Sequence, residues 1–394
     1  MSAHGAGKGE DERFEARLSA VFGRAADGLG TDGAAQLVEG GLAQGRRRRR
    51  GRRRAVIAAS ALTVVVAVGA STLTVAASGG VPGRTSAALT TASQGAPAPL
   101  DHGVTILLIG LESTTDAQGR PVSADLRRGD LHAGSDDLDT TDTLMLVHIP
   151  AGGGTVRQLS IPRDVLVSPG TTINQVYPAA EAAAASRLRG QGLSGTELRW
   201  QAREAGRTAL IRSVQQLAGI PVDHFAELSM TGFYRVAQAV GPVPVCLNHA
   251  VDDPWSGAHL PAGPSALGPA QALAFVRQRH GVADGSDLAR TRRQQAFLAG
   301  VLQKLRSEGV LADAEKLSAL YGALKDDLVV DQGWSPVDLV RQVPAFTQNK
   351  STASTLPVHV QGNRLTADPG KAQQILTGPA DAGPPSGDQV PCVD

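Results

Sequence analysis

Between Ala274 and Phe297 the chain carries five arginines: Arg277, Arg279, Arg290, Arg292 and Arg293. Guanidinium groups repel one another, so a set that converges needs an anion, and their planar forks match the oxygens of a phosphate. Arg277 and Arg279 stand two apart after an apolar run, which would put them on one face of an extended segment. Arg290, Arg293 and Gln294 are three and four apart, the spacing of one helix face. The Gly/Asp/Ser turn from His280 to Ser286 can fold the two faces toward each other. The alternative is a solvated helix face bearing ordinary surface arginines.

Charge distribution favours a site. Of 38 Lys and Arg and 37 Asp and Glu, residues 1–54 hold 12 and 7. That leaves 26 against 30, a net of −4, for the rest of the chain. A mildly acidic domain makes a poor general nucleic-acid binder, so no nucleic-acid partner is expected. The arginine cluster is a local feature against that background.

The elements that must position it alternate between strand and helix. Val104 to Leu111 is a buried-strand run followed by Glu112. Asp142 opens a second run to Ile149, and Val156 to Ile161 is a third, so these two are expected to form a hairpin. The third run leads into Pro162, Arg163 and Asp164. Carboxylates and an arginine at strand ends lie where an open sheet presents its site. Helices are expected over Ala179–Leu188, Thr196–Ala218, Thr231–Val240 and Arg290–Leu305, with strands at Val222–Leu228 and Val243–Leu247. Asp252 to Gly263 reads as a loop. Helices at Ala312–Asp327 and Pro336–Val343 and a strand near Ser354–Val360 follow. This alternation predicts a layered α/β domain.

Ahead of it, Arg46 to Arg54 is a basic run broken only by Gly51, and Ala55 to Ala77 holds 23 uncharged, mostly apolar residues. That length crosses a hydrocarbon core of about 30 Å. A basic block on one flank alone orients such a helix with its N-terminus in the cytoplasm. The expected organisation is a cytoplasmic segment 1–54, a single-pass signal anchor 55–77 in the cell membrane, a flexible Ser/Thr/Ala/Gly/Pro stalk 78–100, and an extracytoplasmic domain 101–394. Outside the membrane, the only two cysteines, Cys246 and Cys392, are expected to pair.

The order of segments resembles the LytR–CpsA–Psr family of envelope phosphotransferases. The carrying stretches are Ile106–Ser113, Thr141–Ile149, Leu159–Asp164, Ile173-Asn174, Gly219–Phe225, Val240–Val245, Gln271–Arg279, and Asp287 with Arg290–Gln295. The resemblance implies a three-layer α/β/α fold with a central mixed sheet, here preceded by one transmembrane helix. It implies transfer of a glycopolymer from a polyprenyl-pyrophosphate carrier onto peptidoglycan, with Mg²⁺ or Mn²⁺ as cofactor. Matched to the family motifs, Arg163, Arg277, Arg279 and Arg290 would clamp the pyrophosphate, with Gln294 and Arg293 beside them. Asp142 and Glu112 would hold the metal, Glu112 standing where the family usually has aspartate. Catalysis would rest on Arg163, Asp142, Arg277 and Arg279. An apolar groove between the sheet and a helix would seat the prenyl tail. Two departures stand out: Thr140 and Thr172 occupy positions where the family often has cations, which Arg120, Arg127, Arg128 or Arg293 would have to replace. A non-catalytic lipid-binding or regulatory homologue is the alternative, and a transcriptional regulator a further one.

Overall fold

Consecutive residues Thr105, Ile106 and Leu107 of Val104–Glu112 are buried, the mark of a strand covered on both faces, and that strand sets the architecture. The computed structural model describes residues 85–97, 103–133, 139–151, 154–280, 286–342, 351–361, 364–378 and 390–394. All fall within the unit Val81–Asp394. The proposed cytoplasmic segment and membrane helix lie outside the described residues, and none of the described helices is long and apolar enough to cross a membrane.

The central sheet has seven strands: β1 (Thr85–Ser86), β2 (Val104–Glu112), β3 (Thr140–Ile149), β4 (Val156–Ile161), β5 (His224–Ser229), β6 (Leu328–Asp331) and β7 (Ser351–Thr355). Their order is β1-β6-β5-β2-β3-β4-β7. β3 pairs antiparallel with both β2 and β4, whereas β2 pairs parallel with β5, so the sheet is mixed. On one face Leu107, Ile109 and Leu111 pack against Tyr177 of α2 (Ile173–Gly190) and Leu210, Ile211 and Val214 of α3 (Gly195–Ala218). On the other face Ile106, Met145 and Val147 meet Leu298 and Leu339. Helices thus cover both faces of an α/β domain. A second core joins α4 (Met230–Val240), α5 (Pro269–Arg277) and Phe297 of α6 (Asp287–Ser307) to the strand Val243–Leu247.

Cys246 of that strand is bonded to Cys392, in a short parallel strand Cys392–Val393. The bridge closes a loop of sequence separation 146, worth roughly 5 kcal/mol on the chain-entropy estimate.

Four expectations need correction. The stalk cannot run to residue 100: Thr85–Ser86 pairs with β6, and Ala88, Leu89 and Ala92 of α1 (Ala88–Ala92) are buried in the main core. Their small size disguised a packed turn of helix as linker. Asp252–Gly263 is largely a hairpin, Val251–Asp253 pairing with Ala258–Leu260. The helix expected over Ala312–Asp327 ends at Leu324, and β6 follows it in a stretch where the sequence predicts no element. The strand near Ser354–Val360 is two strands, β7 and Val358–Gln361.

Candidate active site

The site is built where β2 and β3 stop matching residue for residue. Gly110 opposes Thr143 and Leu111 opposes Thr141, so Asp142 is the extra residue of a β-bulge. A bulge re-aims the side chain it carries. Gly110 is needed there because a Cβ would come 2.7 Å from the Thr143 Cβ.

Asp142 is where three of the sequence-predicted arginines meet. Arg163, placed just after β4 by Pro162, donates from Nη1 to Asp142 Oδ2 at 2.7 Å. Arg279 Nη2 reaches the same oxygen at 3.5 Å and Arg290 Nη1 at 3.4 Å. Arg163 Nε also lies 3.5 Å from Asp164 Oδ1. Arg277 sits beside this group: Nη2 donates to Glu112 Oε1 at 3.1 Å and Nη1 to the Leu131 carbonyl at 2.6 Å. Arg277 closes α5 rather than continuing an extended segment, so the chain turn at Gln278, not strand alternation, separates it from Arg279. Gln294 donates to Thr143 Oγ1 at 2.8 Å.

Arg293 points elsewhere, which corrects its placement with the phosphate ligands. It is fully buried, donating to the Gln278 carbonyl at 2.6 Å and to the main-chain oxygen of Asp394. Arg120, Arg127 and Arg128, the other candidates to replace the missing cations, are not among the residues lining the cavity at this site. Arg120 pairs with Asp116 and Arg128 with Asp125. Thr172 serves as N-cap of α2 in a capping box.

Burial alone would raise the Asp142 pKa, but the Arg163 and Arg290 guanidiniums outweigh it and hold the carboxyl below its usual range. Burial pushes Glu112 up, and the negative charge of Asp142 adds to that. Asp142 Oδ1 is buried with no hydrogen-bond partner among the described residues, and the Glu112 carboxyl adjoins Asp142 closely enough to share a hydrogen bond with it when protonated. Two adjoining carboxyls with one open oxygen, beside clustered guanidiniums, fit Mg²⁺ or Mn²⁺, which takes one or two carboxylates and completes its shell with water and phosphate. Among the described residues no three His, Cys, Asp or Glu gather in a metal cage, so any such ion would rely on substrate oxygens too.

Beneath the arginines opens a cavity of about 530 Å³. Leu108, Met145 and Leu228 of the sheet form one wall, and Phe233, Val276 and Phe297 of α4, α5 and α6 another. Asp142, Arg163, Arg279 and Arg290 line its polar end. Three cations on one carboxylate leave excess positive charge above an apolar chamber, an arrangement suited to a diphosphate with a long hydrocarbon tail.

Sequence reasoning missed the residues behind the site. Arg203 and Arg207, one turn apart on α3, are buried at the sheet face: Arg203 bonds Asp139, Ser113 and Thr115, and Arg207 bonds Glu227 of β5. Their signal was two arginines interleaved with the apolar positions of an amphipathic helix.

The LytR_cpsA_psr family model matches residues 84–377. The cell wall biosynthesis protein LcpA of Corynebacterium glutamicum is 40% identical over 263 residues, 66% of this chain and 50% of that protein. The polyisoprenyl-teichoic acid–peptidoglycan teichoic acid transferase TagU of Bacillus mycoides is 26% identical over 229 residues, 57% of this chain and 66% of its own length. Protein gbs0355 of Streptococcus agalactiae superposes with a TM-score of 0.50 at 17% identity, over 70% of this chain and 88% of that structure, a likeness of fold. The chain spans about half the length of LcpA.

Proposed function

This chain belongs to the LytR_cpsA_psr family, and from that premise we propose that it is a membrane-anchored phosphotransferase. It moves a glycopolymer from a polyprenyl-pyrophosphate carrier to a hydroxyl of peptidoglycan at the outer face of the cytoplasmic membrane. The acceptor hydroxyl oxygen forms a bond to the sugar-bearing phosphorus and loses its proton to solvent, the anhydride P–O bond breaks, and polyprenyl phosphate leaves. The observation that carries the reading is the convergence of Arg163, Arg279 and Arg290 on Asp142 at the polar end of an apolar cavity.

In this reading the three guanidiniums hold the diphosphate oxygens and offset the charge that builds on the leaving phosphate. Asp142 keeps the three cations gathered before the substrate arrives. Arg277, held by Glu112 and the Leu131 carbonyl, adds a fourth positive charge beside them. Gln294, anchored on Thr143, offers a neutral amide at the same end of the cavity. The apolar walls take the proximal part of the prenyl tail and keep water from one side of the anhydride. Asp142 and Glu112 would hold a Mg²⁺ or Mn²⁺, which when bound supplies further charge neutralisation to the phosphates.

The test is release of polyprenyl monophosphate by the purified full chain in detergent, with Mg²⁺, a sugar-bearing polyprenyl diphosphate and peptidoglycan fragments. Wild type is expected to turn over, and Arg290→Ala to fall by roughly 100-fold or more. Tight binding of the lipid with no release by wild type would favour the non-catalytic carrier instead.

A further inference from the structure

Trp255 is the most exposed large hydrophobic residue among those described, at 76%. It stands at the tip of the Val251–Leu260 hairpin and lines the mouth of the diphosphate cavity, its ring 6.2 Å from that of His280. We propose that Trp255, with His280, is a platform for the sugar ring attached directly to the diphosphate. The inference rests on the function proposed above and adds the recognition of the group being transferred.

The platform is tied to the anion site by one buried carboxylate. Asp253, 1% exposed, accepts from Trp255 N at 3.0 Å and Ser256 Oγ at 2.9 Å. Its Oδ2 also accepts from the backbone amides of Arg279 and His280, both at 3.3 Å. Burial opposes its charge, but these four donors hold its pKa below the usual range. The turn that carries the indole is therefore fixed to the peptide that carries Arg279, whose guanidinium reaches Asp142.

Exposure gives the direction. Side chains rise from 5% exposed at Arg290 through 20% at Arg163 and 33% at Arg279 to 63% at His280. With the prenyl tail in the apolar interior and the diphosphate at the arginines, the substituent on the far phosphate emerges past Arg279 onto His280 and Trp255. A flat indole face held beside polar groups matches the C–H face of a pyranose, whose hydroxyls then meet the imidazole. A membrane headgroup is the weaker occupant. The hairpin and its flanks, residues 249–263, hold no Lys or Arg and expose Asp252, so an anionic leaflet finds no lysine or arginine to pair with there.

The test is equilibrium binding by the full chain in detergent to two probes, a short polyprenyl diphosphate bearing an N-acetylhexosamine and the same diphosphate without sugar. A third probe is sedimentation with anionic phospholipid vesicles. Trp255→Ala is expected to weaken the sugar-bearing lipid roughly five- to tenfold and leave the sugar-free lipid unchanged, with Trp255→Phe restoring most of the difference. Equal weakening of both lipids, no weakening of either, or a loss confined to vesicle binding would overturn the platform while leaving the diphosphate site standing. Wild-type protein that binds neither diphosphate would overturn both readings.

Discussion

Replacing Arg207 with methionine removes a fully buried guanidinium and strands its partner. Arg207 Nε and Nη2 donate to the two oxygens of Glu227 at 3.0 and 2.8 Å, and Nη1 donates to Glu204 at 2.9 Å. Glu227 is itself 3% exposed and also accepts from the Tyr177 hydroxyl at 3.2 Å. Burial alone would lower the Arg207 pKa, yet the Glu227 charge raises it above its ordinary value, so Arg207 keeps its charge in the folded state. Methionine preserves much of the stem packing but leaves a buried carboxylate without its cation, a loss of about 3–5 kcal/mol. At 2–4 °C per kcal/mol for a domain of this size, the melting temperature should fall by on the order of 10 °C. Urea unfolding followed by fluorescence and circular dichroism together supplies the free energy and tests for two-state behaviour. Adding Glu227→Gln should recover roughly 2 kcal/mol or more relative to the sum of the single losses, because the stranded charge is gone. An Arg207→Met chain within about 1 kcal/mol of wild type, or strictly additive losses, would refute the claim that this ion pair is buried and coupled.

Three other outcomes follow from the same structure. Burial, with Asp139 alongside, pushes Glu181 from its usual 4.5 to about 8. The folded state then holds a proton that the unfolded state releases, so stability is fully present below pH 4.5 and falls by about 2–4 kcal/mol as pH rises to 8. Glu181→Gln should flatten that slope in denaturation series across pH. Because burial and Asp142 raise the Glu112 pKa, protons compete with a divalent cation for it more strongly than at an ordinary carboxylate; Mn²⁺ affinity, read by electron paramagnetic resonance, should weaken as pH falls from 7.5 to 5 in wild type and less in Glu112→Gln. Arg293→Met takes the donors from the Gln278 carbonyl and the Asp394 main-chain oxygen, and should cost roughly 2–4 kcal/mol in thermal melts.

How far the sequence reached can be judged from single residues. β2, β3 and β4 were readable because their apolar runs are bounded by polar turns, and the Cys246–Cys392 pair followed from count and compartment. The gathering of Arg163, Arg279 and Arg290 was legible only as a family pattern, since it depends on a bulge at Asp142 that spacing does not encode. Arg293 was misassigned for a geometric reason. On a helix of about 3.6 residues per turn, Arg290 and Gln294 lie within about 40° of each other, while Arg293 is about 100° from Gln294. Its direction is settled by docking of the Cys392–Asp394 segment, about a hundred residues downstream, which local periodicity cannot contain. The same holds for Ala88–Ala92, whose burial comes from α3 and not from its own composition.

The most direct measurement is a crystal structure of the protein with a polyprenyl diphosphate bound. The account predicts diphosphate oxygens within hydrogen-bond distance of Arg163, Arg279 and Arg290, and the hydrocarbon chain between Leu108 and Phe297. A lipid bound on another surface, with the three guanidiniums still on Asp142 alone, would contradict it.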